Sequence, residues 1–362
     1  MAPKLKKLGW SDLMVSEACI GTMTFGSQNT EVQAHEILDA AFAAGINFID
    51  TAEVYPTPPN PETVGRTEEY IGTWLEKQDR KKVILATKVC GYSKNSHTPG
   101  NRSNPPSKEK MDARVDTANI EAAIAGSLRR LRTDYVDLYQ LHWPDRYVPL
   151  FGQSVYDVKL ERPSVPFEET VGAMGKLIKE GKVRYWGVCN ETPYGVCELV
   201  RAADKLGVPR PITIQNQFNL LHRSFETSLA ELAAPSHYNM ALLPWSPLGQ
   251  GVLTGKYLGG ARPEGARLAE SKIPVYQMYL EDKVGQLVAQ YVDLAKELDI
   301  TPAQLALAWV NSRWFVGSTI IGATKTTHLK ENLDAFEIEL SEDVLKKIDF
   351  IHLQCKDPYT FI

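Results

Sequence analysis

The feature that most constrains the fold is a regular alternation of short apolar runs with longer segments of helical spacing. The apolar runs predict strands, first at the run CIG that follows Ala18 and then at 46–49, 83–87, 135–141, 183–188, 212–215, 241–244 and 318–321. The segments between them predict helices, the first opened by a Thr30 and Gln33 capping box and the others at 67–78, 117–131, 167–180, 192–206, 224–234, 302–313 and 326–335. Eight such units in succession favour an α/β fold, a closed (β/α)8 TIM barrel, over an open sheet.

Several further elements lie outside this repeat. The segments KLKKL and MVSEA flank a turn at Gly9 and predict a β-hairpin that caps the barrel floor. Residues 281–298 predict an extra helix before the seventh barrel helix, and Ser341 begins a C-terminal helix. The stretches 90–116, 143–166 and 248–280 are too long for plain connections, so we expect these loops to build the binding pocket. The whole chain, 1–362, is predicted to be one domain.

Composition disfavours several classes of partner. The chain has 362 residues, of which 43% are hydrophobic and 23% charged, as in an ordinary globular protein. Its net charge of -4 provides no broad basic field, so neither nucleic acid nor an anionic membrane is expected as a partner. No apolar run approaches the roughly 20 residues of a membrane span. The five cysteines lack a CxxC pair, which indicates reduced thiols and a cytoplasmic protein.

Side chains that can move a proton follow three neighbouring predicted strands. Asp50, Lys88 and His142 each come directly after one of the apolar runs. Tyr55 lies five residues beyond Asp50, in the loop that follows the same run. Barrel enzymes keep their chemistry at the carboxyl ends of the strands. We therefore expect these four side chains to converge and to form a catalytic group.

Each of these residues also has a plain structural explanation. A tyrosine is most often a packing residue, His142 could be a hydrogen-bonded core histidine, and Asp50 with Lys88 could be a simple ion pair. Together they favour catalysis, because a phenol with a pKa of about 10 needs a nearby ammonium to exchange protons near neutral pH. We expect Lys88 to lower the pKa of Tyr55. A metal site is disfavoured, since His142 and Asp145 show no HxH or HExxH spacing and Lys88 would repel the ion.

These residues stand in motifs that resemble those of the aldo-keto reductase family. The resemblance covers about residues 4–332 and is carried by Gly21-Thr22-Met23, Asp50-Thr51-Ala52 with Tyr55, Lys88, and Leu141-His142-Trp143-Pro144. It implies a (β/α)8 reductase that uses a nicotinamide cofactor without a Rossmann domain. It also implies that Tyr55 is the general acid and that Lys88 tunes it, while Asp50 pairs with Lys88 and His142 orients the carbonyl. The long loops and the IIGATK segment are similar to a bacterial and plant branch of the family.

The same resemblance implies a set of cofactor-binding residues. Asn190 and Gln215 would hold the nicotinamide carboxamide, and Trp245 would stack on the ring. The loop after the seventh strand would cross the pyrophosphate, and the start of the last barrel helix would receive the adenosine phosphate. The full set is Gly21, Thr22, Met23, Asp50, Asn190, Gln215, Trp245, Ser246, Leu248, Gly249, Gly251, Lys256, Gly322, Thr324, Lys325, His328, Glu331 and Asn332.

Two positions depart from the family pattern. Cys189 stands where a serine usually precedes the nicotinamide asparagine, so a weak sulfur donor replaces a hydroxyl. Lys325 and His328 stand near the place where an arginine commonly binds the 2'-phosphate. Lysine binds phosphate as a point charge without the bidentate fork of arginine. NADPH is therefore the predicted cofactor, with NADH less favoured.

The predicted reaction is the reduction of an aldehyde or ketone to an alcohol, with hydride from nicotinamide C4 and a proton from Tyr55. The predicted partner is thus a small carbonyl compound, in a pocket formed by Tyr55, His142 and Trp143. Tyr92 and Phe25 are further candidates for an aromatic wall of this pocket, and a core or surface role fits Trp143, Tyr92 and Phe25 equally well. The alternative is a cofactor-sensing regulatory or binding protein on the same barrel, because fold alone does not settle function. The sequence leaves the oligomeric state open.

Overall fold

Eight parallel strands form the centre of the computed structural model, which describes residues 3–150, 153, 155–271, 274–356 and 358. In chain order they are β1 (Ala18–Gly21), β2 (Phe48–Asp50), β3 (Ile84–Val89), β4 (Val136–Leu141), β5 (Val183–Cys189), β6 (Thr213–Gln215), β7 (Ala241–Leu242) and β8 (Thr319–Gly322). Each strand from β1 to β6 pairs with the next one in parallel, and β8 pairs with β1. The strand order therefore follows the chain, as βαβ units produce.

The remaining junction, between β7 and β8, closes the barrel. The Leu242 amide donates to the Phe315 carbonyl at 2.8 Å, and the Gly317 amide donates to the Leu242 carbonyl at 2.9 Å. The Ile320 amide, within β8, donates to the Pro244 carbonyl at 3.2 Å. These bonds join the end of β7 to the start of β8. The predicted (β/α)8 barrel is confirmed.

A helix lies between each barrel strand and the next, and one follows β8. The helices are α1 (Glu31–Ala43), α2 (Arg66–Leu75), α3 (Thr117–Leu131), α4 (Phe167–Lys179), α5 (Pro193–Leu206), α6 (Ser228–Ala233), α7 (Pro302–Asn311) and α8 (Thr326–Asp334). The predicted extra helix is Asp282–Glu297, before α7, and the predicted C-terminal helix is Glu342–Gln354. α6 is shorter than predicted, because Thr227 has a non-helical backbone that separates it from a 3-10 turn at Ser224–Glu226. In the described part of the chain, no helix combines the length and the apolar character that crossing a bilayer requires.

Local sequence sets where the helices begin. The Thr30 side chain accepts a hydrogen bond from the Gln33 amide, and the Gln33 side chain accepts one from the Thr30 amide, which forms the predicted capping box. Thr301 and Gln304 repeat this arrangement at α7, where Pro302 occupies the first turn. Both boxes provide partners for amides that a helix N-terminus leaves without an internal acceptor.

The strands send alternate side chains into the barrel interior, and this alternation positions the site. The lower interior layer is apolar and includes one side chain each from β2, β3 and β4: Phe48, Ala86 and Leu138. Two residues further along the same strands come Asp50, Lys88 and Gln140. A polar layer therefore lies directly above an apolar floor.

The predicted N-terminal hairpin closes the floor. Its strands, Leu5–Lys7 and Met14–Ser16, pair antiparallel. Three apolar residues of the hairpin are buried and pack against the lower interior layer: Leu8, Leu13 and Val15. The hairpin thus excludes water from the end of the barrel opposite the polar layer.

The three long loops contain short elements of their own. Loop 90–116 carries a small hairpin, Ser93–Ser96 with Met111–Ala113, and a 3-10 turn at Pro99–Arg102. Loop 143–166 carries a 3-10 turn at Val158–Leu160. Loop 248–280 carries 3-10 turns and short helices at Gly249–Thr254, Leu258–Gly260, Arg267–Glu270, Pro274–Gln277 and Met278–Leu280. The loops follow β3, β4 and β7, so all three leave the barrel at the end where the polar layer lies.

Gly9→Ala should destabilise the protein more than Gly181→Ala. Both glycines have a left-handed backbone, with φ of +58° and +71°, so alanine costs about 1–2 kcal/mol at either position. A Cβ on Gly9 would also lie 2.5 Å from the Ile212 carbonyl oxygen and 2.9 Å from that of Asn239, whereas nothing lies within 4 Å of a Cβ on Gly181. Urea unfolding followed by circular dichroism measures both losses. Equal losses would contradict the close seating of the hairpin on the barrel.

Candidate active site

The Asp50 carboxylate is the centre of the polar layer. Its Oδ2 accepts a hydrogen bond from Lys88 Nζ at 2.6 Å. Its Oδ1 accepts from Gln215 Nε2 at 2.8 Å and from Gln140 Nε2 at 3.2 Å. The Asp50 and Lys88 side chains are 3% and 0% exposed. Donors from three other strands thus replace the water that burial removes from the carboxylate.

Lys88 is held as an ammonium ion inside the barrel. Besides Asp50, its Nζ donates to the Thr51 carbonyl at 2.8 Å. Burial acts to lower the pKa of Lys88, but the charges around it, Asp50 first, raise it by more, and the pKa lies above its usual value. Lys88 Nζ lies 5.0 Å from the centre of the Tyr55 ring. Asp50 and Lys88 therefore pair as the sequence predicted, with Tyr55 beside them.

The pKa of Tyr55 departs from the sequence-based expectation. Burial raises it, and by more than the Lys88 ammonium lowers it, so the pKa rises to about 12. The effect of Lys88 has the predicted direction, but the net lowering that we expected is wrong, because loss of water around a phenolate outweighs one ammonium ion. A Tyr55 hydroxyl with this pKa stays protonated at neutral pH and is available as a proton donor.

His142 begins the loop after β4 and completes the group of four. Burial, and then the charge of Lys88, lower the pKa of His142 well below its usual value, so the imidazole is neutral. Its ring is edge-on to that of Tyr55, with the ring centres 5.6 Å apart. A neutral imidazole has one N–H donor, which suits it to bind a carbonyl oxygen. Among the described residues, no cluster of three or more His, Cys, Asp or Glu side chains could hold a metal ion.

Trp143 extends the aromatic surface beside His142. The centres of their rings are 4.6 Å apart, and Trp143 Nε1 donates to the Tyr92 carbonyl at 2.9 Å. The predicted pocket residues Tyr55, His142 and Trp143 are therefore contiguous. Phe25 is buried in the core between the strands and the helices, which is the packing role that many phenylalanines have.

The residues predicted to hold a nicotinamide are bonded to this group. Asn190 follows β5, and its Nδ2 donates to the His142 carbonyl at 2.8 Å. Trp245 follows β7, and its Nε1 donates to Asn190 Oδ1 at 3.1 Å. Gln215 ends β6 and binds Asp50 through its amide nitrogen. A ligand that contacts these three side chains would lie against the group of four.

Gln140 belongs to the same network and was not predicted. It is buried on β4, in register with Lys88, and its Oε1 accepts from Gln215 Nε2 at 3.3 Å and from Cys189 Sγ at 3.6 Å. Burial raises the pKa of Cys189 well above its usual value, so Cys189 remains a thiol that can donate. The alternation along β4 would have identified Gln140, because it shares the inward face with His142 two residues later.

The first predicted cofactor residues connect β1 to the Tyr55 loop. Gly21 is in register with Asp50. Thr22 Oγ1 donates to the Asp50 carbonyl at 2.9 Å. The Met23 carbonyl accepts from the Thr57 amide at 3.3 Å. This turn therefore borders the loop that carries Tyr55.

Two cations of the loop after β7, Lys256 and Arg267, lie beside its turn at Gly249–Thr254. Lys256 Nζ lies 3.2 Å from the position that a Cβ on Gly251 would take, and Arg267 Nη1 donates to Gln250 Oε1 at 2.7 Å. Burial, and then the charge of Arg267, lower the pKa of Lys256, so the two charges act on each other. The backbone beside them has positive φ at several predicted residues: Ser246, Gly249 and Gly251. Leu248 lies within the same turn. Arg267 was not predicted, because it lies in an irregular stretch without a motif.

The residues predicted for the adenosine phosphate meet at the start of α8. Gly322 is in register with Gly21 of β1, and its carbonyl accepts from Asn332 Nδ2 at 3.4 Å. Lys325 is the N-cap residue of α8 and makes no side-chain capping bond, so the first amides of the helix can receive an anion. The other predicted residues are close by in the chain: Thr324, His328 and Glu331.

Known proteins resemble this chain along most of its length. A sequence profile described as the aldo/keto reductase family matches residues 17–352. Protein tas of Escherichia coli (strain K12) is 46% identical over 343 residues, which cover 94% of this chain and 95% of that protein. A probable voltage-gated potassium channel subunit beta of Arabidopsis thaliana is 34% identical over 351 residues, covering 95% of each chain. The uncharacterized oxidoreductase YrpG of Bacillus subtilis (strain 168) is 32% identical over 348 residues, covering 95% of this chain and 94% of that protein.

The Tyr55 hydroxyl should ionise near pH 12. The folded protein then keeps this proton at a pH where the unfolded chain has lost it, so stability falls from about pH 10, where a free phenol ionises, upwards. Lys88→Met should move the ionisation to still higher pH, since the ammonium lowers the pKa of Tyr55. The ionisation of Tyr55 is measured as the tyrosinate absorbance of the protein minus that of Tyr55→Phe. A Tyr55 component that moved to lower pH in Lys88→Met would contradict this electrostatic arrangement.

Proposed function

The chain belongs to the aldo/keto reductase family, and on that premise we propose that it reduces an aldehyde or ketone to an alcohol with NADPH. Membership makes it an oxidoreductase that works with a nicotinamide cofactor. One observation supports carbonyl reduction in particular. The protonated phenol of Tyr55, the Lys88 ammonium paired with the Asp50 carboxylate, and the neutral imidazole of His142 lie together in the barrel.

Tyr55 acts as the proton donor. NADPH, when bound, supplies a hydride from nicotinamide C4 to the carbonyl carbon, and negative charge develops on the carbonyl oxygen. Tyr55 gives its phenolic proton to that oxygen, a contribution of about 10² to 10⁴ in rate. The Lys88 ammonium stabilises the phenolate that remains. Asp50 keeps that ammonium charged inside the barrel.

His142 orients the carbonyl group. Its neutral imidazole donates one N–H to the carbonyl oxygen, and its low pKa keeps it from acting as the acid in place of Tyr55. Trp143 packs beside His142 and offers an apolar wall to the body of the substrate. The proposed substrate is therefore a small carbonyl compound bound between Tyr55 and Trp143.

The proposed cofactor site runs from the group of four (Asp50, Tyr55, Lys88 and His142) to the start of α8. Asn190, Gln215 and Trp245 would hold the nicotinamide, since their hydrogen bonds already connect them to His142 and Asp50. Lys256 and Arg267, on the loop after β7, would pair with the pyrophosphate.

The preference for NADPH over NADH rests on the start of α8. Lys325 and His328 lie there, and a cation matches the extra phosphate that NADPH carries on its adenosine ribose. NADH has a hydroxyl at that place and would gain less from the positive charge. The preference therefore depends on Lys325 more than on the amides of the helix.

We place the protein in the cytoplasm, with a small carbonyl compound as its partner. All five cysteines are free, as proteins in a reducing compartment keep them. The net charge of -4 gives no electrostatic reason for binding to nucleic acid.

A regulatory role is the second candidate. The similarity to proteins named as potassium channel β subunits favours it. Decay of NADPH absorbance with a panel of aldehydes and ketones separates the two roles. Oxidation of NADPH by any of these compounds supports the reductase. Tight NADPH binding without oxidation by any of them supports a cofactor-sensing protein.

Tyr55→Phe should abolish carbonyl reduction and leave NADPH binding near normal. The substitution removes the proton but keeps the ring, so kcat should fall by at least about 10²-fold. Tyr185→Phe is the control, because it removes a hydroxyl that donates to Asp12 at 2.9 Å on the barrel floor. Steady-state kinetics and a fluorescence titration with NADPH measure the two effects. A Tyr55→Phe protein that kept most of its turnover would show that another group is the acid.

Lys256→Ala and Arg267→Ala should each weaken NADPH binding about tenfold or more, since a hydrogen bond to a charged group contributes about 1.5–3 kcal/mol. Arg262→Ala is the control within the same loop, where Arg262 Nη1 donates to the Ala261 carbonyl. It should leave the Kd unchanged. Fluorescence titration gives all three constants, and an unchanged Kd in both test variants would place the pyrophosphate elsewhere.

A further inference from the structure

A second buried ion pair lies beside the group of four and takes no part in the proposed chemistry. Arg102 Nε donates to Glu53 Oε2 at 2.9 Å, and Arg102 Nη2 donates to Glu53 Oε1 at 2.8 Å. The Arg102 and Glu53 side chains are 4% and 1% exposed. A bidentate pair of this kind fixes orientation as well as position.

Glu53 joins the two strand ends that carry Tyr55 and Lys88. Its amide donates to the Lys88 carbonyl at 3.3 Å, and its Oε1 accepts from the Cys90 amide at 2.9 Å. Glu53 precedes Tyr55 by two residues, and Cys90 follows Lys88 by two. Glu53 therefore sets the separation of two backbone segments whose side chains act on each other.

Arg102 is held from its other side by the start of α3. Its Nη1 donates to Asn119 Oδ1 at 2.6 Å, and Asn119 Nδ2 donates to the Asp116 carboxylate oxygens at 3.1 and 3.0 Å. The Arg102 carbonyl accepts from Arg129 Nη1 at 3.0 Å. The guanidinium is thus anchored between a barrel strand end and an outer helix.

The residue before Arg102 contacts the far side of the Tyr55 loop. Asn101 Nδ2 donates to the Val64 carbonyl at 2.8 Å, and the Gly65 amide donates to the Tyr55 carbonyl at 2.8 Å. The Asn101 amide also fills the space that a side chain on Gly65 would need. The turn Pro99–Arg102 therefore holds the Tyr55 loop at two points, one before Tyr55 and one after it.

We propose that Glu53 and Arg102 are positioning residues for Tyr55, and that loop 90–116 is a fixed brace for the proton donor rather than a mobile lid. The inference rests on the proposed function of Tyr55 as the acid. Because the two charges compensate each other, the pair acts on Tyr55 through the backbone and not through a net charge. A displacement of about 1 Å at a reacting group can cost about 10²-fold in rate.

The charges around these residues agree with a geometric role. Apart from burial, the pKa of Tyr55 is shifted by groups of the polar layer, namely Lys88, Asp50 and Cys189. The neutral imidazole of His142 also faces the Tyr55 ring. The groups that face Glu53 are Arg102, Cys90 and Tyr139. Burial acts to lower the pKa of Arg102, but Glu53 raises it by more, so Arg102 stays charged. A change at Arg102 therefore affects Tyr55 by moving it relative to Lys88.

Two variants test the brace without leaving an unpaired charge. Arg102→Lys keeps the positive charge but lacks the planar fork, and Glu53→Gln combined with Arg102→Met removes both charges. We expect each to lower kcat about 10- to 100-fold and to leave the NADPH Kd within about threefold. We also expect the ionisation of Tyr55 to move to higher pH, because Lys88 is then further from the phenol.

Arg80→Met is the matched control. It breaks a partly buried pair with Asp137 near the other end of β3, where Arg80 Nη2 lies 2.9 Å from Asp137 Oδ2. This variant should leave kcat and the Tyr55 ionisation unchanged. Tyrosinate absorbance, compared with the same variants carrying Tyr55→Phe, gives the ionisation without any substrate. A wild-type protein that reduced no carbonyl would refute the proposed function, yet the titration would still test the brace.

An unshifted Tyr55 ionisation in both test variants, or an unchanged kcat in both, overturns the proposal. The thermal unfolding of each variant is measured as well, to show whether it folds cooperatively. If both test variants fail to fold cooperatively while Arg80→Met folds, the proposal is also overturned, because the pair would then support the whole fold and not one residue.

Discussion

The rest of the site depends on the buried ion pair of Asp50 and Lys88. A lone ammonium or carboxylate is unstable inside a barrel, and removing one member of such a pair costs about 3–5 kcal/mol. Here Lys88 Nζ donates to Asp50 Oδ2 at 2.6 Å, while the amides of Gln140 and Gln215 bind Oδ1. The pair thus keeps a positive charge 5.0 Å from the Tyr55 ring centre in a place that water does not reach.

The barrel produces this arrangement from the simplest property of a strand. Alternate side chains face inwards, so a layer of Phe48, Ala86 and Leu138 is followed by a polar layer on the same strands. The hairpin closes the apolar end, and the long loops leave from the polar end. Loop 90–116 then adds a second bidentate pair, between Arg102 and Glu53, that joins the Tyr55 segment to the Lys88 strand. One pair supplies charge and the other supplies position.

Sequence reasoning predicts the parts that depend on pattern. The alternation of runs predicts the barrel, and Asp50 was predicted to pair with Lys88 because both end apolar runs. It did not predict the net pKa of Tyr55, since burial and the ammonium oppose each other and the balance depends on packing. Gln140 was missed within an apolar strand, and Arg102 was missed because a loop rich in Ser, Asn and Pro resembles a solvated segment. The alternation along β4 is enough to identify Gln140, whereas the role of Arg102 becomes visible only when distant strands and loops are brought together.

The protonation state of Lys88 is the most direct test of the buried ion pair. NMR of Lys88 Nζ across pH, in the wild-type protein and in Asp50→Asn, gives its pKa with and without the carboxylate. We expect an ammonium in the wild type that persists above the ordinary lysine pKa of about 10.4. In Asp50→Asn the proton should leave at much lower pH, because burial is then unopposed. A neutral Lys88 at neutral pH in the wild type, or the same titration in both proteins, would contradict it.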